Sequence, residues 1–155
     1  MAASPDIPTT VSFGCTCLRL RKTTRRVTQL FDRCLAPVGL TSSQFGLLAN
    51  LTILRTKGAD ELPIGTLAER MGLDPTTLSR SLRPLVQRGL LSLVANPADK
   101  RVRAVKMTAA GHAKLNESLP YWREAQVRLD EALSVEARLA LNGLLEVTFA
   151  QLPRV

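Results

Sequence analysis

The stretch PIGTLAERMGLDPTTLSRSLRPLVQRG, residues 63–89, contains two short apolar-striped segments joined by a tight turn. In the first, Leu67, Ala68 and Met71 recur at helical spacing, and Gly72 stands where a helix ends in the left-handed conformation. In the second, Asp74 is a good N-cap, and Pro75 suits the first helical position because its missing N–H would be unpaired there anyway. Leu78, Leu82, Leu85 and Val86 supply its buried stripe, and Gly89 stops it. Pro84 lies inside this segment, removes a bond to the Arg80 carbonyl, and is expected to bend it locally. Two short helices around a glycine-containing turn predict a helix-turn-helix, whose second helix can enter the major groove of DNA.

Beyond this stretch, residues 90–94 and 102–107 read as two short strands around the turn-rich segment Asn96-Pro97-Ala98-Asp99-Lys100-Arg101, a wing with a basic tip. Upstream, Thr41 and Gln44 form a capping box, and Phe45, Leu47, Leu48, Leu51 and Leu54 make an apolar-rich helix that breaks at residues 57–60. Before it, Val27, Leu30, Phe31, Cys34 and Leu35 follow the amphipathic spacing within a helix expected over residues 11–35, ended by Pro37 and Gly39. Downstream, Thr108 caps a long helix to about Leu133, interrupted or bent at Pro120. Ser134 caps a last helix striped by Leu139, Leu144, Leu145 and Phe149. The fold class is therefore mainly α with a small β-wing. A winged helix-turn-helix domain is expected over residues 41–107, with a helical dimerisation region from residues 1–40 and 108–155.

Charge is distributed unevenly over the 155 residues: net +4 in residues 1–40, +5 in 41–107 and −1 in 108–155. The +5 is matched by residues 74–106 alone, the second helix and the wing. A polyanionic partner is implied, and the uneven placement disfavours a general membrane coat. Thr76, Thr77, Ser79, Arg80 and Arg83 project from the polar side of the second helix, opposite its leucines. Hydroxyls bond phosphates or base edges, and arginine can donate twice to guanine, a pairing worth about 1–3 kcal/mol of discrimination. In the wing, Arg101 is placed to reach a minor groove with Asp99 orienting its guanidinium, and Lys100 and Arg103 add positive charge. Arg88, at the end of the second helix, reads as a charge favouring the helix dipole.

These motifs, in this order, resemble the MarR family of winged-helix transcriptional regulators over nearly the whole chain. They are Leu67-Ala68-Glu69-Arg70-Met71, Asp74-Pro75-Thr76-Thr77-Leu78-Ser79-Arg80, Arg88-Gly89-Leu90-Leu91, Asp99-Lys100-Arg101 and Met107-Thr108-Ala109-Ala110-Gly111. The resemblance implies a homodimer joined through the first and last two helices, two winged domains on a pseudo-palindromic duplex operator, and a small-molecule effector or thiol signal that weakens binding. It also implies DNA contacts from Thr76, Thr77, Ser79, Arg80, Arg83, Asp99 and Arg101, with repression the expected output.

Cys15 and Cys17 lie near the start of the first helix beside Arg19, Arg21 and Lys22, a cationic setting that suits a redox sensor. In the resemblance, Cys17 falls where the peroxide-sensing branch carries its reactive thiol, although Arg21 and Phe31 stand where that branch has tyrosines. Cys34 belongs to the apolar stripe and is expected in the core. No metal or cofactor is expected: cysteines at i, i+2 point to different sides of a helix, and His112, the one histidine, is remote from them. No Ser-His-Asp set or phosphate-binding glycine loop suggests an enzyme. Three thiols and no 18-residue apolar run or signal-like start fit a cytoplasmic protein that neither spans nor coats a membrane. Two competing readings remain: a peroxide-reducing enzyme using Cys17, and a helical protein-interaction module with incidental charge.

Overall fold

The computed structural model describes residues 15–55, 61–95 and 103–152. The expected helix over 11–14, the break at 57–60 and the wing tip with Asp99, Lys100 and Arg101 lie outside the described residues. In chain order the elements are α1 (Thr16–Leu35), a 3-10 turn (Ala36–Val38), α2 (Ser42–Arg55), β1 (Leu62–Pro63), α3 (Ile64–Met71) and α4 (Pro75–Gln87). These are followed by β2 (Leu91–Ala95), β3 (Arg103–Met107), α5 (Ala109–Leu133) and α6 (Val135–Gln151). The architecture is a winged helix-turn-helix flanked by long helices, as the sequence predicts.

The strands form one antiparallel sheet in the order β1-β3-β2, with Leu62 opposite Val105 and Leu91 opposite Met107. β1 is absent from the sequence reading because two residues, one of them proline, carry no period-2 signal. The core joins Leu35, Val38 and Leu40 to Leu47 and Leu48 of α2, Leu67 of α3, and Leu78, Leu82 and Leu85 of α4. Leu91, Val105 and Leu115 close it from the sheet and α5. Those in helices and strands are the apolar faces their periods assign, so one shared core holds α4 against α2, α3, the sheet and α5.

One expectation about proline changes. α4 runs through Pro84 to Gln87 without ending there. α5 continues past Pro120 for its full 25 residues, so that proline does not interrupt it. On the inner side of α5, Ser118 is fully buried with its hydroxyl donating to the Leu115 carbonyl at 2.7 Å, and the Trp122 ring stacks on Phe45 of α2. The ring centroids are 5.9 Å apart and the planes 15° from parallel.

Ser134 joins α5 to α6 with φ 68° and ψ 157°, a conformation strained for any residue but glycine. Its hydroxyl accepts the Ala137 N–H at 3.3 Å, and Arg138 pairs with Asp130 across the corner. No residue of α6 is buried. Leu139, Leu144, Leu145, Val147 and Phe149 all face solvent, as do Leu18 and Leu20 on α1 and Val127 on α5. A groove of about 460 Å³ runs between Leu20, Arg70 and the Leu145–Leu152 segment.

Candidate nucleic-acid interface

The exposed side of α4 is organised from its first turn. The Asp74 carboxylate accepts the N–H of Thr76 at 3.0 Å and of Thr77 at 2.9 Å, and its other oxygen accepts the Thr77 hydroxyl at 2.5 Å. Donation from the Thr77 hydroxyl, and then from the two backbone N–H groups, holds the Asp74 pKa below its ordinary 3.8. Because the native value is the lower one, this cap contributes stability above about pH 3.8 and loses it as pH falls through the depressed value. Asp74→Asn keeps the cap but cannot titrate, so its unfolding curve is expected to be flatter than wild type below pH 4. Acid titration followed by circular dichroism checks this, and identical acid limbs would refute it.

The same geometry changes what the hydroxyls can do. Thr77 is committed to Asp74, the Ser79 hydroxyl donates to the Pro75 carbonyl at 2.8 Å, and Ser81 donates to Thr77 at 3.0 Å. Thr77 and Ser79 were expected to donate to DNA; in the free protein those protons bond back into their own helix, as hydroxyls near a helix start commonly do. Thr76, Arg80 and Arg83, at i, i+4 and i+7, share one exposed stripe opposite Leu78, Leu82 and Leu85. Arg103 is exposed at the first residue of β3, on the strand leading from the wing. Lys106 instead faces Glu61 at 3.9 Å.

Arg88 has a role the dipole reading misses. Its guanidinium donates to the Gly39 carbonyl at 2.8 Å, across 49 positions of sequence. Gly39 ends the 3-10 turn with φ 66°, its N–H bonding the Ala36 carbonyl at 2.9 Å. The next residues are held equally firmly. Asp32 of α1 accepts the Ser42 N–H at 2.7 Å, and Thr41 and Gln44 form the predicted capping box. On the opposite side of the α4 exit, the Thr108 hydroxyl is directed at the Gly89 carbonyl at 2.7 Å, and the Thr108 N–H bonds Leu90 at 3.1 Å. No local sequence pattern signals these long-range ties.

Cys15 is the N-cap of α1, its sulfur accepting the Leu18 N–H at 3.4 Å; Cys17 is exposed and Cys34 is buried. Among the described residues no group of three His, Cys, Asp or Glu side chains is placed to hold a metal, and no helix is long and apolar enough to cross a membrane.

A capped, arginine-bearing second helix beside a three-stranded wing defines a winged-helix DNA-binding regulator. Residues 38–102 match the model of the MarR family. The Mycobacterium tuberculosis transcriptional regulator MosR is 31% identical, with a TM-score of 0.72 over 88% of this chain and 96% of that one. The chain belongs to the MarR family of transcriptional regulators and is not an enzyme. MosR in complex with DNA matches at 30% identity and TM-score 0.74, over 89% of this chain and 99% of that one. The repressor CouR bound to a 23-mer duplex matches at 26% and 0.76, covering 94% and 99%. Among curated proteins there is no match.

Proposed function

We propose that the protein is a cytoplasmic, homodimeric repressor that binds a pseudo-palindromic operator, with residues 41–107 as its DNA-binding unit and 1–40 with 108–155 as its dimerisation region. The observation that carries this reading is the exposed stripe of Thr76, Arg80 and Arg83 on a capped helix standing on the shared core. Arg80 reads a base edge, while Arg83, Arg103 and the wing residues Lys100 and Arg101, the latter oriented by Asp99, grip phosphates or the minor groove. Thr77 and Ser79 join them once their hydroxyls turn toward the duplex. Titrating duplex at several salt concentrations tests it: log K should fall steeply with log[salt], and a slope near zero removes the proposal. Arg80→Ala is expected to cost about 1–3 kcal/mol on the preferred sequence and little on a shuffled one, whereas Arg101→Ala should weaken both alike. Equal losses on both duplexes from Arg80→Ala would refute that division.

Binding is released by a small-molecule effector or by oxidation of Cys17 and Cys15. The first has a parallel in BpsR of Bordetella bronchiseptica, a structural neighbour whose DNA binding is regulated by 6-hydroxynicotinic acid. The second rests on an exposed thiol two residues from the Cys15 cap at the start of a basic helix. Peroxide should lower duplex affinity in wild type and not in Cys17→Ser. An unchanged wild type would remove the thiol route and leave the effector.

A further inference from the structure

We propose that Arg88 is a positioning residue, fixing the angle of α4 on the duplex through the Gly39 carbonyl rather than touching DNA. The inference rests on reading α4 as the recognition helix. The bond joins the last turn of α4 to the corner where α1 passes into α2. That corner is fixed in its own right, by the left-handed Gly39, the Asp32 bond to Ser42 and the Thr41–Gln44 box. Thr108, at the start of α5, holds the Gly89–Leu90 segment from the other side. The exit of α4 is thus tied on both sides, to the start of α5 by Thr108 and to the corner between α1 and α2 by Arg88.

An exposed bond of this kind adds little to the stability of the whole fold, because water competes for both partners. Its leverage lies in geometry. Base-reading side chains must be held within about 0.5 Å and 10–20° to bond productively, so a small tilt of α4 degrades selectivity before it degrades folding. A movement of the corner between α1 and α2 would reach the exit of α4 through this same bond.

The test uses the full-length protein, a duplex enriched by wild type from a random 20-base-pair library, and a shuffled version of it. Arg88→Met keeps the apolar stem and removes the donor. It should melt within a few degrees of wild type, bind the enriched duplex about tenfold more weakly, lose about the same factor in preference over the shuffled duplex, and keep the wild-type salt slope. Arg88→Lys, which can still donate one bond to Gly39, should recover most of the preference. A uniform loss on both duplexes with a slope lower by about one would make Arg88 a phosphate contact and overturn the proposal. Unchanged selectivity, or an Arg88→Met protein that does not fold, would overturn it as well. Wild type that enriches no duplex would defeat the recognition-helix reading itself, an outcome distinct from Arg88→Met matching a selective wild type.

Discussion

Replacing Gly111 by alanine is expected to destabilise the protein by about 2–4 kcal/mol, although the change sits in the first turn of a 25-residue helix where alanine normally gains about 1 kcal/mol. The reason is contact with backbone. A β-carbon at Gly111 would collide with the Leu90 carbonyl oxygen, and would stand 2.7 Å from Met107 Cγ and 3.1 Å from the Leu90 carbonyl carbon. Leu90 cannot retreat freely, because the same oxygen accepts the Thr108 N–H and its own N–H bonds the Leu85 carbonyl. The start of α5 and the exit of α4 therefore share a space sized for a hydrogen atom. For a chain of this length, each kcal/mol moves the melting temperature by about 2–4 °C, so a drop on the order of 5–15 °C should appear in a thermal scan. An equal or higher melting temperature would show that the turn yields, and would contradict this account of why glycine stands there.

The second large effect is expected at the exposed leucines of α6. Leu139 and Leu144 are 57% and 68% exposed, large apolar side chains left in water. In the proposed dimer these side chains are buried against the second copy. Leu139→Asp combined with Leu144→Asp should yield a monomer by sedimentation, with its secondary structure retained because neither side chain belongs to the core. Joining two half-site contacts gains about 10²–10⁴ in affinity over one, so operator binding should weaken by a factor in that range. A double variant that remains dimeric would place the interface elsewhere. A monomer with undiminished operator affinity would mean that one winged domain suffices.

How far the sequence could be read depended on how local each cause was. The ends of α3 and α4 follow from Gly72, Asp74 and Pro75, and the structure places those helices at Ile64–Met71 and Pro75–Gln87. The Thr41–Gln44 box and the Thr108 and Ser134 caps were equally legible, since a cap acts within three residues. What escaped was non-local. β1 exists only because β3 pairs with it, and nothing near Arg88 announces a carbonyl 49 residues away. Among the candidate DNA contacts, the residue types and their shared face were readable, but not the commitment of the Thr77 and Ser79 protons to Asp74 and Pro75.

The stacking of Trp122 on Phe45 gives the molecule an optical consequence. Trp122 is the only tryptophan in the chain, and it bridges α5 to the first turn of α2. Indole emission responds to its immediate neighbours, so any shift of α2 against α5 should change the colour or yield of a single, unambiguous fluorophore. Duplex, effector or oxidant could each be followed by that signal without attaching a label.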